Sequence, residues 1–368
     1  MRLVPVAHLK HGSKIALDIL NAFGMPLISA EEIVTMHTLQ TLHRLKISYV
    51  YIKDEYCFQE KSTTYGISQV GHFMKIIYQL REIALRSMKG ESGPEDIEDC
   101  VKVAKKLVAQ VVPAVQDGTM KIMYEPVKMY TDTVIEQSIY VSIMSVALGV
   151  KMNMSEDKLV ELCIAGMLRN FALLSPKIRV NGKLLKPAQI EEMHPTLTYN
   201  FLKNNYDISE DILLGILHHH EQHDGSGYPG KLNGSVIHPY ARILSLIQFF
   251  YTLKTDNNPL VVKQGLLEVV FESKLKKFHP DVVDVFLANV ELFTLDTLFR
   301  LTTGDIVAVL KNNPFTPFKP VVRVVKSGGT NEVGTVLDLC DFANAKIKIN
   351  TIVYYIDEED TVGTGTND

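Results

Sequence analysis

The spacing of apolar residues divides the chain into three stretches of different character. Over the first sixty residues strand and helix signals alternate. Ser29 and Glu32 form a capping-box pattern ahead of EEIVTMHTLQTLHRL, which predicts a helix, and the following ISYVYI is β-branched and aromatic enough for a strand. Residues 66–89 place Val70, Phe73, Ile77 and Ala84 on one helical stripe that Gly90 ends. A second capping pattern, Ser92 and Glu95 with Pro94 in the first turn, opens a helix through Ile97, Val101, Ala104 and Val108.

From about residue 113 to 290 the pattern is helical almost throughout. Asp132 or Thr133 starts a helix that buries Val134, Val141, Met144 and Leu148. Ser155 caps the next, through Leu159, Leu162 and Gly166, and Ser209 caps a third that runs into His218–His220. The segment ARILSLIQFFYTL is apolar on every side and predicts a central helix. Beyond about residue 296 the pattern changes to short β-rich runs, DIVAVL, VVRVV, GTVLDL and KIKINTIVYYI, and the closing VGTGTND reads as frayed. The expectation is a mainly α chain in three parts: a mixed α/β and helical region at 1–112, a helical domain at 113–295 and a small β-rich subdomain at 296–368.

Composition narrows the function classes. Lys and Arg number 38 against 42 Asp and Glu, so no cationic excess is present to neutralise a nucleic-acid backbone. No apolar run reaches the roughly 18 residues of a membrane span, and the first twenty residues lack a signal-like apolar stretch, so a cytoplasmic protein is expected. Cys57, Cys100, Cys163 and Cys340 form no CxxC pair; Cys100 and Cys163, at apolar helical positions, read as reduced core residues.

The most specific string is HHHEQHDGSGYPGKLNGSVIHPYARIL at 218–244. A paired His, a Glu and then Asp-Gly-x-Gly-Tyr-Pro resemble the signature of the HD-GYP family of cyclic-di-GMP phosphodiesterases, and His194–Pro195 upstream agrees with it. The resemblance covers roughly residues 120–290 and implies an HD-superfamily helical bundle. It also implies a cluster of two or three metal ions on His and carboxylate ligands that activates water for attack on a phosphodiester.

Matched position by position, the resemblance implies metal ligands at Glu136, His194, His219 and His220, which are present. It also implies ligands at four positions occupied here by Gln137, Arg169, Asn170 and Gln248. The His-Asp pair is thereby Arg169–Asn170, and the phosphate-holding Gly-Lys after it is Ala172–Leu173. A family Arg motif is replaced by TDNNPL at 255–260. The expectation is a pseudoenzyme with no cofactor, in which the retained residues leave room for at most one weakly held divalent ion.

Three consecutive helical residues point about 100° apart, so His218, His219 and His220 cannot all face one ion. His218 and His223 read as solvent-side or loop residues. The loop residues Asp224, Gly225, Gly227, Tyr228 and Pro229 survive whole, which suits either a structural turn or a recognition element with Tyr at an exposed tip. In the family this loop is associated with partners such as GGDEF-type cyclases. The leading expectation is therefore a regulatory or protein-interaction role in bacterial cyclic-di-GMP signalling. The alternatives are a non-hydrolysing cyclic-dinucleotide receptor, with Arg169 as a phosphate contact, and a phosphodiesterase with an altered metal site.

Overall fold

The structure, a computed structural model, describes residues 1–20, 25–45, 47, 49–58, 95–118, 120–123, 133–175, 177–255, 273 and 275–356. The first elements are β1 (Arg2–Pro5), β2 (Lys14–Ile15), β3 (Ile19–Leu20), β4 (Pro26–Ile28), α1 (Met36–Arg44) and β5 (Tyr49–Lys53). The strand expected from ISYVYI is β5, the middle strand of an antiparallel sheet ordered β1-β5-β2.

Helix α1 starts later than its capping pattern predicts. Thr35 is the cap: its hydroxyl accepts from the Thr38 amide at 3.1 Å, and the Thr38 hydroxyl accepts from the Thr35 amide at 3.2 Å. Residues 31–34 are instead drawn into pairing, with the Ile15 amide donating to the Glu32 carbonyl and the Val34 amide to the Ser13 carbonyl. Non-local backbone bonds here override a local helix-start signal. The stripe at 66–89, the Ser92 cap and the terminal VGTGTND lie outside the described residues.

Next come α2 (Glu95–Gln116) and β6 (Ile122–Met123). Helix α2 continues through Pro113, so the boundary expected after residue 112 falls inside it. Helices α3 (Thr133–Lys151) and α4 (Glu156–Leu168) pack side by side, followed by a hairpin of β7 (Arg179–Val180) and β8 (Lys183–Leu184). Helices α5 (Pro187–Asn205), α6 (Glu210–Leu217), α7 (Pro239–Thr255) and α8 (Pro280–Asn289) complete the bundle.

Helix α3 is buried on every side from Ser138 to Leu148, as an all-apolar helix must be to avoid wetting a face. Its buried Ser142 hydroxyl is satisfied by the Ser138 carbonyl at 2.7 Å. Helix α4 crosses α3 closely at Gly166, where a Cβ would lie 2.9 Å from the Ser142 hydroxyl and 3.0 Å from its Cα. That crossing brings the carboxy end of α4, and hence Arg169, against the first turns of α3. Ser209 caps α6 as expected, whereas Ser155 occupies the cap position of α4 without a side-chain bond. Helix α7 is central, and Cys100 and Cys163 are buried.

Strand β9 (Val290–Glu291) pairs in parallel with β6 and closes the helical region. Strands β10 (Leu298–Leu301), β11 (Ile306–Lys311), β12 (Val321–Lys326), β13 (Val336–Asp338) and β14 (Ile349–Val353) form an antiparallel sheet ordered β13-β12-β11-β10-β14. The sheet's inner residues Phe299, Val307 and Val322 share one apolar core with the helices, while the amino-terminal sheet has its own. The architecture is mainly α with a small strand-rich carboxy-terminal region. Among the described residues no helix is long and apolar enough to cross a membrane.

Candidate functional site

The histidines do not lie on a helix. Helix α6 ends at Leu217, and His218–His220 form a turn in which the Glu221 amide donates to the His218 carbonyl at 2.8 Å. The 100° spacing expected of three helical residues therefore does not apply. His219 and His220 both turn towards His194 on α5, and one ring nitrogen from each of the three lies within 4.8 Å of the others. His218 faces away and accepts from the His238 amide through Nδ1 at 3.3 Å.

Hydrogen bonding fixes the tautomers of two of these rings. His194 Nδ1 lies against the Glu191 carbonyl, and His219 Nδ1 is 2.6 Å from the Ile216 carbonyl. A carbonyl only accepts, so each Nδ1 carries the proton and each Nε2 presents a lone pair. Those two Nε2 atoms face each other at 3.1 Å. Between neutral rings this contact has no proton to share. Burial and then the nearby Arg169 charge push His194 down to about 4, while burial followed by the His194 and Arg169 charges takes His220 to about 3. Burial first, and the neighbouring imidazoles next, hold His219 well below the usual histidine value. The cluster is neutral at physiological pH, with lone pairs converging where a cation would satisfy them.

The four substituted positions meet in a second arrangement. Arg169, at the carboxy end of α4, is fully buried, at 0 % exposure. Its Nε donates to the Gln248 side-chain oxygen at 3.3 Å. One terminal nitrogen donates to the Gly166 carbonyl, and the other to the Gln137 backbone and side-chain oxygens at 3.3 and 3.4 Å. Asn170 donates to the same Gln137 oxygen at 2.9 Å. Gln137, Arg169, Asn170 and Gln248 are therefore one hydrogen-bonded network. No carboxylate among the described residues pairs with the guanidinium, and burial pushes it down to about 9. These bonds leave Arg169 no exposed face for a phosphate. Glu136 lies on α3, but its side chain is outside the described residues.

The glycine-rich loop folds down onto the histidines. Tyr228 is not at an exposed tip: its ring is half-buried and stacked on His220, with centroids 4.6 Å apart and planes 12° from parallel. Burial, and then Glu191 and Glu192, raise its phenol to about 12. Asp224 is exposed and accepts from the Ser226 amide at 2.9 Å, which shapes the turn at Gly225 (φ 79°). Gly227 is buried so closely that a Cβ would lie 2.4–2.5 Å from backbone atoms of Gln222, Glu221 and His220. Pro229 is exposed.

Sequence reasoning counted Glu221 in the signature string but gave it no role. It is 1 % exposed, and its carboxylate accepts from the Gly230 amide and, at 2.9 Å, from the Leu232 amide. The signal was an acid in a string of histidines and glycines, nine to eleven residues before two loop amides. His223, expected to be solvent-side or in a loop, lies in a turn, where its buried Nδ1 has no hydrogen-bond partner among the described residues and its ring meets His279 edge-on at 5.1 Å.

A carboxylate-bridged multinuclear centre does not fit these residues. Two amides, a buried guanidinium and a third amide stand where anionic and imidazole ligands are needed. A single borderline-soft ion does fit, since three neutral imidazoles with an open fourth position are a known zinc donor set. The Arg169 charge that disfavours protons on the histidines also weakens such an ion.

The HD domain family model matches residues 120–282. A cyclic di-GMP phosphodiesterase, PdeB of Borreliella burgdorferi, is 24% identical over 199 residues, which is 52% of this chain and 52% of that protein. The cyclic di-GMP phosphodiesterase PA4108 of Pseudomonas aeruginosa is 25% identical over 195 residues, 51% of this chain and 46% of the relative. The response regulator RpfG of Xanthomonas campestris pv. campestris, also a cyclic di-GMP phosphodiesterase, is 30% identical over 115 residues, 28% of this chain and 30% of that one. The chain thus spans about half the length, or less, of the curated relatives it matches. Bd1817, an HDG"Y"P protein from Bdellovibrio bacteriovorus, superposes with a TM-score of 0.45 at 16% identity, over 76% of this chain and 96% of its own. Residues 120–282 thus form an HD domain, and the similarity to cyclic di-GMP phosphodiesterases, with the paired histidines and the Asp224–Pro229 loop in place, supports the HD-GYP family for it.

Proposed function

We propose that this chain is a non-hydrolysing HD-GYP protein with a regulatory or protein-interaction role in cyclic-di-GMP-linked signalling. One observation carries the reading: the four positions that would hold a multinuclear metal centre form a buried hydrogen-bonded network around Arg169. A dication placed beside a guanidinium that pairs with no carboxylate among the described residues is repelled by several kcal/mol at about 4 Å, even at an effective dielectric constant of about 20. The amides of Gln137, Asn170 and Gln248 are neutral and lower that repulsion little. Without the metal centre there is no activated water and no neutralisation of the charge that develops on a phosphodiester. The cyclic-di-GMP connection rests on the named activities of the relatives and comes to this chain as part of the proposal.

The proposed role falls to the loop and the surface around it, whose packing is intact although the metal ligands are not. Its partner is a protein of the same signalling system, a GGDEF-type cyclase being the first to test. Incubation of the purified chain with cyclic di-GMP and Mn²⁺ or Fe²⁺ tests the reading: no linear dinucleotide should form above a chelated control. Metal-dependent turnover that disappears in His219→Ala would overturn it.

A further inference from the structure

The loop and the histidine cluster are joined at three points. The Tyr228 amide donates to the His220 carbonyl at 3.2 Å, and its ring lies flat on the His220 imidazole. The next residue, Glu221, grips the far side of the loop through the amides of Gly230 and Leu232. Gly227 is pressed against the backbone of 220–222 with no space for a side chain. The loop therefore cannot shift without moving the His220–Glu221 segment, and the reverse also holds.

The three histidines differ in how they are held. His194 and His219 are each tied through Nδ1 to a backbone carbonyl. The ring of His220 makes no hydrogen bond among the described residues. Its neighbours are the rings of His219 at 4.2 Å, His194 at 5.0 Å and Tyr228 at 4.6 Å. Among the described residues His220 is thus the member of the cluster whose ring is held by ring contacts alone, one of them the stack on Tyr228 of the loop.

We propose that the Asp224–Leu232 loop senses the occupancy of the three-histidine cluster. A single divalent transition ion held by His194, His219 and His220 fixes the His220 ring and, through the stack, Tyr228 and the exposed Pro229 beyond it. With the cluster empty, the ring and the loop are free to turn together. By reciprocity, anything that loosens the loop must weaken the ion to the same degree. The inference rests on the proposed function in one respect: the ion sits alone, as a ligand of the loop's anchor and not as part of a hydrolytic centre.

The chain contains no tryptophan, so Tyr228→Trp introduces a sole indole at the stack. Titration of that variant with Zn²⁺ should give a saturable emission change complete at one equivalent. The change should vanish when His194→Ala is added. Adding Glu221→Gln instead should raise the midpoint about fivefold or more, the size of a typical coupling between sites. Zinc bound at one equivalent with unchanged emission, no zinc bound, or a response that survives His194→Ala would each overturn the proposal. Should the indole variant fail to fold, hydrogen exchange at the Gly230 and Leu232 amides of the unaltered chain replaces it. Zinc should slow both by about tenfold, on the scale of a coupling between sites, and equal rates with and without zinc overturn the proposal. Linear product formed by the same samples would contradict the non-hydrolysing reading and leave the loop coupling standing, so the two failures are distinct.

Discussion

Lowering the pH from 7 to 5 should destabilise the helical core through the histidine cluster. His194 and His220 are held at about 4 and about 3 in the folded chain, chiefly by burial, against an ordinary value of 6.5. A base whose folded pKa is depressed stays neutral in the fold while the unfolded chain takes up its proton. Stability is therefore intact above about 6.5 and is lost as the pH falls from there towards the folded values. At pH 5 the unfolded imidazole is protonated by about 30 to 1 and the folded one hardly at all. Each residue then costs about 2 kcal/mol relative to pH 7. His194 and His220 together remove about 4 kcal/mol, and His219 shifts in the same direction. Against the roughly 5–15 kcal/mol by which domains are stable, that is a large share. The assay is urea unfolding followed by circular dichroism at both pH values, with chelator present so that no ion competes with the proton. A His194→Gln, His220→Gln variant should lose most of the pH dependence. A drop below about 1 kcal/mol in the unaltered chain, or an equal drop in the double variant, would refute the burial argument.

Three further outcomes follow from the same geometry. Gln248→Glu would set a half-buried carboxylate where an amide oxygen now lies 3.3 Å from the Arg169 Nε, and thermal melting should show a gain of about 1–2 kcal/mol; a loss of similar size would mean that the guanidinium already has an anionic partner. Gly227→Ala forces a Cβ to within 2.4 Å of the Gln222 nitrogen, so unfolding should be easier by about 1–3 kcal/mol, with faster proteolysis confined to the loop; an unchanged melt and cleavage pattern would contradict the close packing. Thiol alkylation of the native chain should modify exposed Cys340 well before Cys163, whose thiol is fully buried and pushed upward by that burial, and mass mapping of labelled peptides reads the order.

Much of the fold was legible because its signals are periodic. An all-apolar stretch such as ARILSLIQFFYTL has no wet face to offer and could only be central, and the β-rich runs after residue 296 announce their strands by composition. The start of α1 was not legible, because a good capping pair at Ser29 and Glu32 lost to backbone pairing with residues 13–15 that are distant in sequence. The site divides along the same line. The family resemblance implied His194, His219 and His220 and the four substituted positions, and the structure brings each group together. Their arrangement depends on facts that spacing does not carry: that α6 stops at Leu217, that Tyr228 turns inward, and that the buried Arg169 is bonded to amide and carbonyl oxygens. The role of Glu221 was not legible because its partners are backbone amides, which leave no mark on side-chain identity.

The account turns on whether the Arg169 network has displaced a hydrolytic metal centre. The most direct measurement is elemental analysis of the chain after anaerobic loading with Fe²⁺, Mn²⁺ or Zn²⁺, joined to an assay for linear product from cyclic di-GMP on the same sample. The account predicts no more than one ion per chain and no product above the chelated control. Two or more ions per chain, with turnover abolished by His219→Ala, would contradict it.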